Sequence, residues 1–221
     1  MEVSRYKEIN YVIRRPENET EGKKYPLVIY LHGAGGRGRD ISLLLGHSFF
    51  IHSEKYLTEA YSVSPQCYAD SWFDIFEQLQ DFIVHVISNP QIDPSRVYLM
   101  GASMGGYGTW QMGMTRPELF AAIVPICGGG MYWNSGRLLN TAVWAFHGDS
   151  DPTVFPEESK KFIDNIAAWG GKKARLTIYE NTGHNAWDPT LTDPEMWKWL
   201  LEQRNSYVET ENKFDDVEKY G

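Results

Sequence analysis

Short apolar runs alternate along this chain with stretches whose apolar residues recur every three or four positions, which predicts strands interleaved with helices. Residues 27–31, 97–100, 121–127 and 141–146 are nearly continuous in apolar or small side chains, as strands buried on both faces should be. Residues 9–14 alternate like an outer strand, and 61–65 and 175–179 read as further strands. Helical spacing sets Phe73, Phe76, Phe82, Ile83, Val86 and Ile87 on one face of a helix over 71–87. Further helices are expected after Ser103, over 156–169 and over 193–203, with Asn89-Pro90, Asp93-Pro94 and Arg116-Pro117 as breaks. The alternation implies right-handed crossovers and a mostly parallel central sheet with helices on both faces. Its site belongs at the carboxyl ends of the strands.

Length narrows this to one α/β domain: 221 residues, 42% of them hydrophobic, can bury a sizeable core but not two. We expect that domain over 1–205 and a charged tail over 206–221, where apolar periodicity is lost. A net charge of −8 offers no basic field for phosphate backbones or anionic lipid, so neither nucleic acid nor membrane is an expected partner. Residues 1–8 lack the apolar run of a signal peptide and no later run could cross a bilayer, which gives a cytoplasmic reading. Cys67 and Cys127 are too few for a disulfide framework and belong to no ligand cluster. They read as reduced thiols, with no metal or cofactor expected.

The chemistry concentrates at Gly101-Ala102-Ser103-Met104-Gly105, where an apolar strand runs straight into a helix. This is a nucleophile elbow in outline. Ser103 sits on a tight turn above the sheet edge, small residues at 101 and 105 let the backbones approach, and the Met104 amide stands beside the hydroxyl at a helix N-terminus. A second glycine-rich stretch, His32-Gly33-Ala34-Gly35-Gly36-Arg37-Gly38, ends the strand at 27–31. Its Ala34 amide is the expected partner of Met104 in an oxyanion hole. It lacks the Gly-Lys-Ser/Thr ending of a phosphate-binding loop.

A serine nucleophile needs a base and an acid, expected in the chain order Ser, Asp, His. Of the histidines, His85 falls on a helix, His47 and His52 suit packing or surface roles, and His32 and His147 end strands beside glycine, where they shape their loops. His184, in the glycine-containing loop after the last strand, is the expected base. Asp149 and Asp151 compete as the acid. Asp151 precedes Pro152 and lies further along the loop, so it is preferred, with Asp188 a distant third.

With these residues in place, the chain resembles an α/β-hydrolase of the carboxylesterase, dienelactone-hydrolase and predicted-peptidase grouping, and is similar to esterases of the feruloyl-esterase and polyhydroxybutyrate-depolymerase type. The matching stretches are Tyr30-Leu31-His32-Gly33-Ala34-Gly35, Pro65-Gln66-Cys67 with Ser71-Trp72, Gly101 to Gly106, His147-Gly148-Asp149 with Asp151, and Gly183-His184-Asn185-Ala186-Trp187. The resemblance implies a Ser103, Asp151, His184 triad and an Ala34, Met104 oxyanion hole.

No long insertion suggests a lid. Trp72, Tyr107, Tyr132, Trp133 and Trp187 fall near the expected site and are candidates for its pocket walls, with core packing the competing role of each. The expected activity is hydrolysis of a small carboxylic ester, with acetyl or hydroxycinnamoyl esters as the natural class. The alternatives are a serine peptidase acting on short peptides, or a hydrolase fold that only binds a ligand.

Overall fold

The computed structural model describes residues 1–205 and Tyr207; the remainder of the expected 206–221 tail lies outside the described residues. The strands are β1 (Glu2–Tyr6), β2 (Ile9–Arg14), β3 (Tyr25–Leu31), β4 (Tyr61–Pro65), β5 (Ile92–Ala102), β6 (Ala122–Ile126), β7 (Ala142–Gly148) and β8 (Ala174–Tyr179). The helices are α1 (Ser42–Leu45), α2 (Ser48–Ser53), α3 (Phe76–Ile87), α4 (Met104–Thr115), α5 (Glu157–Ala168), α6 (Trp187–Thr192) and α7 (Pro194–Glu202). The strands form one sheet in the order β1-β2-β4-β3-β5-β6-β7-β8. β2 is antiparallel to both β1 and β4, whereas every pairing from β4 across to β8 is parallel.

The chain leaves β3 towards β4 on one side, then crosses back to β5 on the other. The carboxyl ends of β3 and β5 therefore border the crevice where the crossovers diverge, the usual ligand position in such a sheet. Both the Gly33 loop and Ser103 emerge there.

Strand alternation divides the core in two. Leu27, Ile29 and Leu31 of β3 and Val97 and Leu99 of β5 face one side, where Leu79, Phe82, Ile83 and Val86 of α3, Trp110 of α4 and Phe162 of α5 cover them. Val28, Tyr30, Tyr98, Met100 and Ala102 face the other, beneath Leu44, Phe49, Phe50, Leu191 and Trp197. The α3 residues sit at i, i+3, i+4 and i+7, and burying each stabilises the fold by about 1.5–3 kcal/mol.

The structure departs from the sequence expectations in local ways. The helix expected from 71 begins at Phe76, because the Asp74 carboxylate accepts both the Ser71 amide and hydroxyl at 2.8 Å and holds a turn. The strand expected at 97–100 reaches back to Ile92 past Pro94, which falls where the β3–β5 register shifts and a ladder donor can be spared. β1, α1, α2 and α6 were not foreseen. No large lid stands over the carboxyl ends of the strands among the described residues.

Candidate active site

Ser103 follows β5 with φ 56° and ψ −120°, a conformation that ordinary residues avoid and that surrounding packing must enforce. The enforcement is close backbone approach. A Cβ on Gly105 would stand 1.9 Å from the Leu31 carbonyl oxygen, so α4 can descend onto β3 only with glycine there. Gly105→Ala is expected to destabilise the protein by about 3 kcal/mol. A shift in denaturation midpoint at constant slope checks this, and an unchanged midpoint contradicts it.

Asp151 and His184 arrive on the loops after β7 and β8. A Cβ on Gly148 would meet the Thr182 and Gly183 carbonyls at 2.1 and 2.3 Å, so the two loops touch at that glycine. The Ser150 amide donates to Thr182 O at 3.0 Å and ties them further. His184 then lies with Nε2 2.8 Å from Ser103 Oγ and Nδ1 2.8 Å from Asp151 Oδ2. The other oxygen, Asp151 Oδ1, accepts the Thr153 and Val154 amides at 2.8 and 3.0 Å. Burial pushes the Asp151 carboxyl up, but the hydrogen bonds from His184, Val154 and Thr153 outweigh it. The group is held below the ordinary carboxylate pKa.

Asp149, the competing acid, does not reach the imidazole. It is exposed, accepts the Ser150 hydroxyl at 2.8 Å and the Thr182 amide at 3.1 Å, and so caps the turn between the two loops. Asp188 accepts from Asn185 Nδ2 at 2.8 Å, outside the Ser103–His184 line.

The Gly33 loop presents Ala34 at the first position of a 3-10 turn, Ala34–Gly36, and Met104 is the first residue of α4. The first N–H groups of a helix have no acceptor within it, so both amides are free to donate outwards. The loop is fixed from behind. Gln66 Nε2 donates to the Gly36 and Asp40 carbonyls, and Trp72 Nε1 donates to His32 O at 3.0 Å.

His32 Nε2 accepts the Cys67 amide at 3.0 Å, so its proton must sit on Nδ1, which donates to Gly33 O at 2.6 Å. Burial lowers its pKa to about 4. In the unfolded chain the ring binds a proton near pH 6.5, so folding stability is complete above that pH and is lost as pH falls towards 4. That loss amounts to about 3 kcal/mol. His32→Gln should flatten the decline of unfolding free energy between pH 7 and 4.5; parallel curves for the two proteins would contradict this.

His147 is likewise buried and neutral. Its Nε2–H donates to Val154 O at 2.8 Å, 3.3 Å from Asp151 Oδ2, while Nδ1 accepts the Ser159 hydroxyl at 2.7 Å. Burial lowers its pKa, and the uncharged ring supports the Asp151 loop without neutralising the carboxylate.

A cavity of about 520 Å³ opens beside Ser103, lined by Tyr30, Gly33–Gly36, Leu43, His47, Ala102, Thr153, His184 and Trp187. Of the aromatic residues expected in its walls, only Trp187 is there, edge-on to the His184 ring at 5.6 Å between centroids. Trp72 is fully buried under the Gly33 loop, and Tyr107 is half-buried on α4 near Asp151 and Glu158. Tyr132 packs against the core beneath Trp133, which is 60% exposed, and neither lines the cavity. Sequence reasoning missed Tyr30, Leu43, His47 and Thr153. The signal that could have found Leu43 and His47 is the length of the β3–β4 connection, long enough to fold α1 and α2 and build a wall.

Cys127, Asp151 and His184 are the one group of potential metal ligands among the described residues, their atoms within 4.8 Å of one another. Burial pushes the Cys127 thiol up to about 12, with the Ser103 and Ala186 amides pulling it back. It is a protonated, packed side chain against the backbone of the site. The carboxylate accepts the imidazole N–H, and the imidazole accepts the serine hydroxyl. These atoms are ordered to pass a proton from Oγ to Nε2 beside two outward amides, the requirements of acyl transfer.

Residues 73–135 match the prolyl oligopeptidase family. The chain is 30% identical over 137 residues to poly(3-hydroxyalkanoate) depolymerase C of Paucimonas lemoignei, covering 48% of this chain and 33% of that one. It is 26% identical over 167 residues to probable feruloyl esterase C of Aspergillus terreus, covering 70% and 61%. The solved structure of a thermostable esterase superposes with a TM-score of 0.81 at 34% identity, covering 89% of this chain and 59% of that one. This chain thus spans about a third to three-fifths of the length of these relatives. Sheet order, elbow and likeness together make the chain an α/β-hydrolase by fold.

Proposed function

We propose that this protein hydrolyses small carboxylic esters through an acyl-enzyme on Ser103. The observation that carries the reading is the unbroken line from Ser103 Oγ through His184 to Asp151, with 2.8 Å at each step. As His184 Nε2 takes the hydroxyl proton, Oγ attacks the ester carbonyl, and the amides of Ala34 and Met104 bind the oxyanion. The imidazolium returns the proton to the departing alkoxide, while Asp151 holds the tautomer and balances the charge. Water, deprotonated by the same imidazole, then attacks the acyl-enzyme and releases the acid and Ser103.

The cavity wall of Leu43, Ala102 and Trp187 suits an acyl group of modest size. The names of the relatives, a polyester depolymerase and a feruloyl esterase, support an acetyl or hydroxycinnamoyl class of ester. A second reading, cleavage of short peptides by the same three residues, is favoured by the match of 73–135 to the prolyl oligopeptidase family.

A panel of 4-nitrophenyl acetate, butyrate and octanoate, methyl ferulate and an aminoacyl 4-nitroanilide separates them. Ester turnover with little anilide cleavage is the expected result. Efficient anilide cleavage would make the protein a peptidase, and no turnover of any of them would leave the ligand-binding alternative.

A further inference from the structure

Tyr30 lines the cavity and is fully buried, and its hydroxyl has no hydrogen-bond partner among the described residues. A buried, unpaired hydroxyl costs its desolvation free energy, and such groups in native proteins call for an explanation. Its direction is fixed by packing: the ring stacks on Phe49, with centroids 4.5 Å apart and planes at 9°, and lies beside His47 at 5.3 Å. Burial, with Cys127 and Asp188 bearing on it electrostatically, holds the hydroxyl protonated.

His47 also lines the cavity. As N-cap of α2 it accepts the Phe49 amide on Nδ1 at 3.3 Å, so the neutral ring carries its proton on Nε2, for which the described residues supply no acceptor. Burial lowers its pKa and keeps it neutral. A buried, unpartnered Tyr30 hydroxyl and a His47 Nε2–H with no acceptor among the described residues thus come from adjacent rings that both line a largely apolar cavity. Tyr30 pairs with Met100, three residues before Ser103, so this wall starts about 10 Å along the strand from the attacking oxygen.

We propose that Tyr30 Oη–H and His47 Nε2–H form a second polar subsite, separate from the Ala34 and Met104 amides, that binds an uncharged oxygen carried on the acyl group several bonds from the ester carbonyl. Ether, hydroxyl and ketone oxygens fit it. A carboxylate does not, because Asp188 bears on both residues. The inference rests on the ester-hydrolase reading and narrows its substrate class to oxygen-bearing acyl groups.

The test uses 4-nitrophenyl octanoate and its analogues with one chain methylene replaced by oxygen at acyl position 4, 5 or 6. The quantity read is the ratio of kcat/KM for each oxa ester to that for octanoate. At the best position this ratio should fall about tenfold in Tyr30→Phe. It should fall at the same position in His47→Asn, which keeps a capping acceptor but loses the ring donor. Because Tyr30→Phe removes an unpaired hydroxyl, its Tm should equal or exceed that of the wild type. Ratios within twofold of wild type at every position, or a Tm several degrees lower in Tyr30→Phe, would overturn the subsite. If the wild-type protein hydrolyses neither series nor 4-nitrophenyl acetate, the ester reading and the subsite fall together, whereas flat ratios with rapid hydrolysis, or turnover of the acetate alone, overturn the subsite alone.

Discussion

Ser103→Ala should lower kcat/KM on 4-nitrophenyl butyrate by about 10⁴–10⁶-fold with little change in Tm. Alanine keeps the Cβ and therefore keeps the φ of 56° under the same strain, so the elbow has no reason to relax. What is lost is the only oxygen within hydrogen-bonding distance of His184 Nε2 among the described residues. The residual rate would come from the Ala34 and Met104 amides acting on a water-attacked ester. A variant that retains more than about 1% of the wild-type rate would show that another group is the nucleophile. Ser103→Gly offers a control in the opposite sense, since it should raise stability by about 1 kcal/mol as the strained position is relieved.

The second large effect separates the two aspartates. Asp151→Asn should reduce kcat by about 10³–10⁴-fold, whereas Asp149→Asn should change it less than about threefold. The Thr153 and Val154 amides will hold the carboxamide oxygen at position 151, turning its NH₂ towards His184 Nδ1. That donor forces the imidazole proton onto Nε2, where the ring can no longer accept from Ser103. At 149 the amide oxygen still accepts the Ser150 hydroxyl and Thr182 amide, so the turn survives. Equal losses, or a larger loss at 149, would refute the assignment.

The buried strands were legible because apolar runs such as 27–31 and 97–100 have no other stable use in a chain this polar. The edge strand β1 was not, since its side chains are mostly exposed and carry no alternation. Nor were α1, α2 and α6, of four to six residues, each too short to display a helical period. Phe73 lies at helical spacing from Phe76, yet it is exposed and stands in the turn that Asp74 makes with Ser71. Periodicity cannot see a capping side chain.

At the site, the elbow is a local motif, and Asp151 and His184 are visible as polar residues at strand ends, so their meeting follows from topology. The pocket is a different problem. Its wall is assembled from β3, the α1–α2 segment and the loop after β8, and whether an aromatic residue lines it or lies behind it depends on packing between distant segments. Trp72 illustrates this: it belongs to the site as a support for the His32 carbonyl, one layer removed from the cavity.

Covalent labelling with a fluorophosphonate, followed by peptide mapping, tests the central claim most directly. The account predicts one phosphonyl group on Ser103 in the wild-type protein, slower labelling in Asp151→Asn, and none in Ser103→Ala. A label on any other residue, or rapid ester turnover by a protein whose Ser103 stays unmodified, would contradict it.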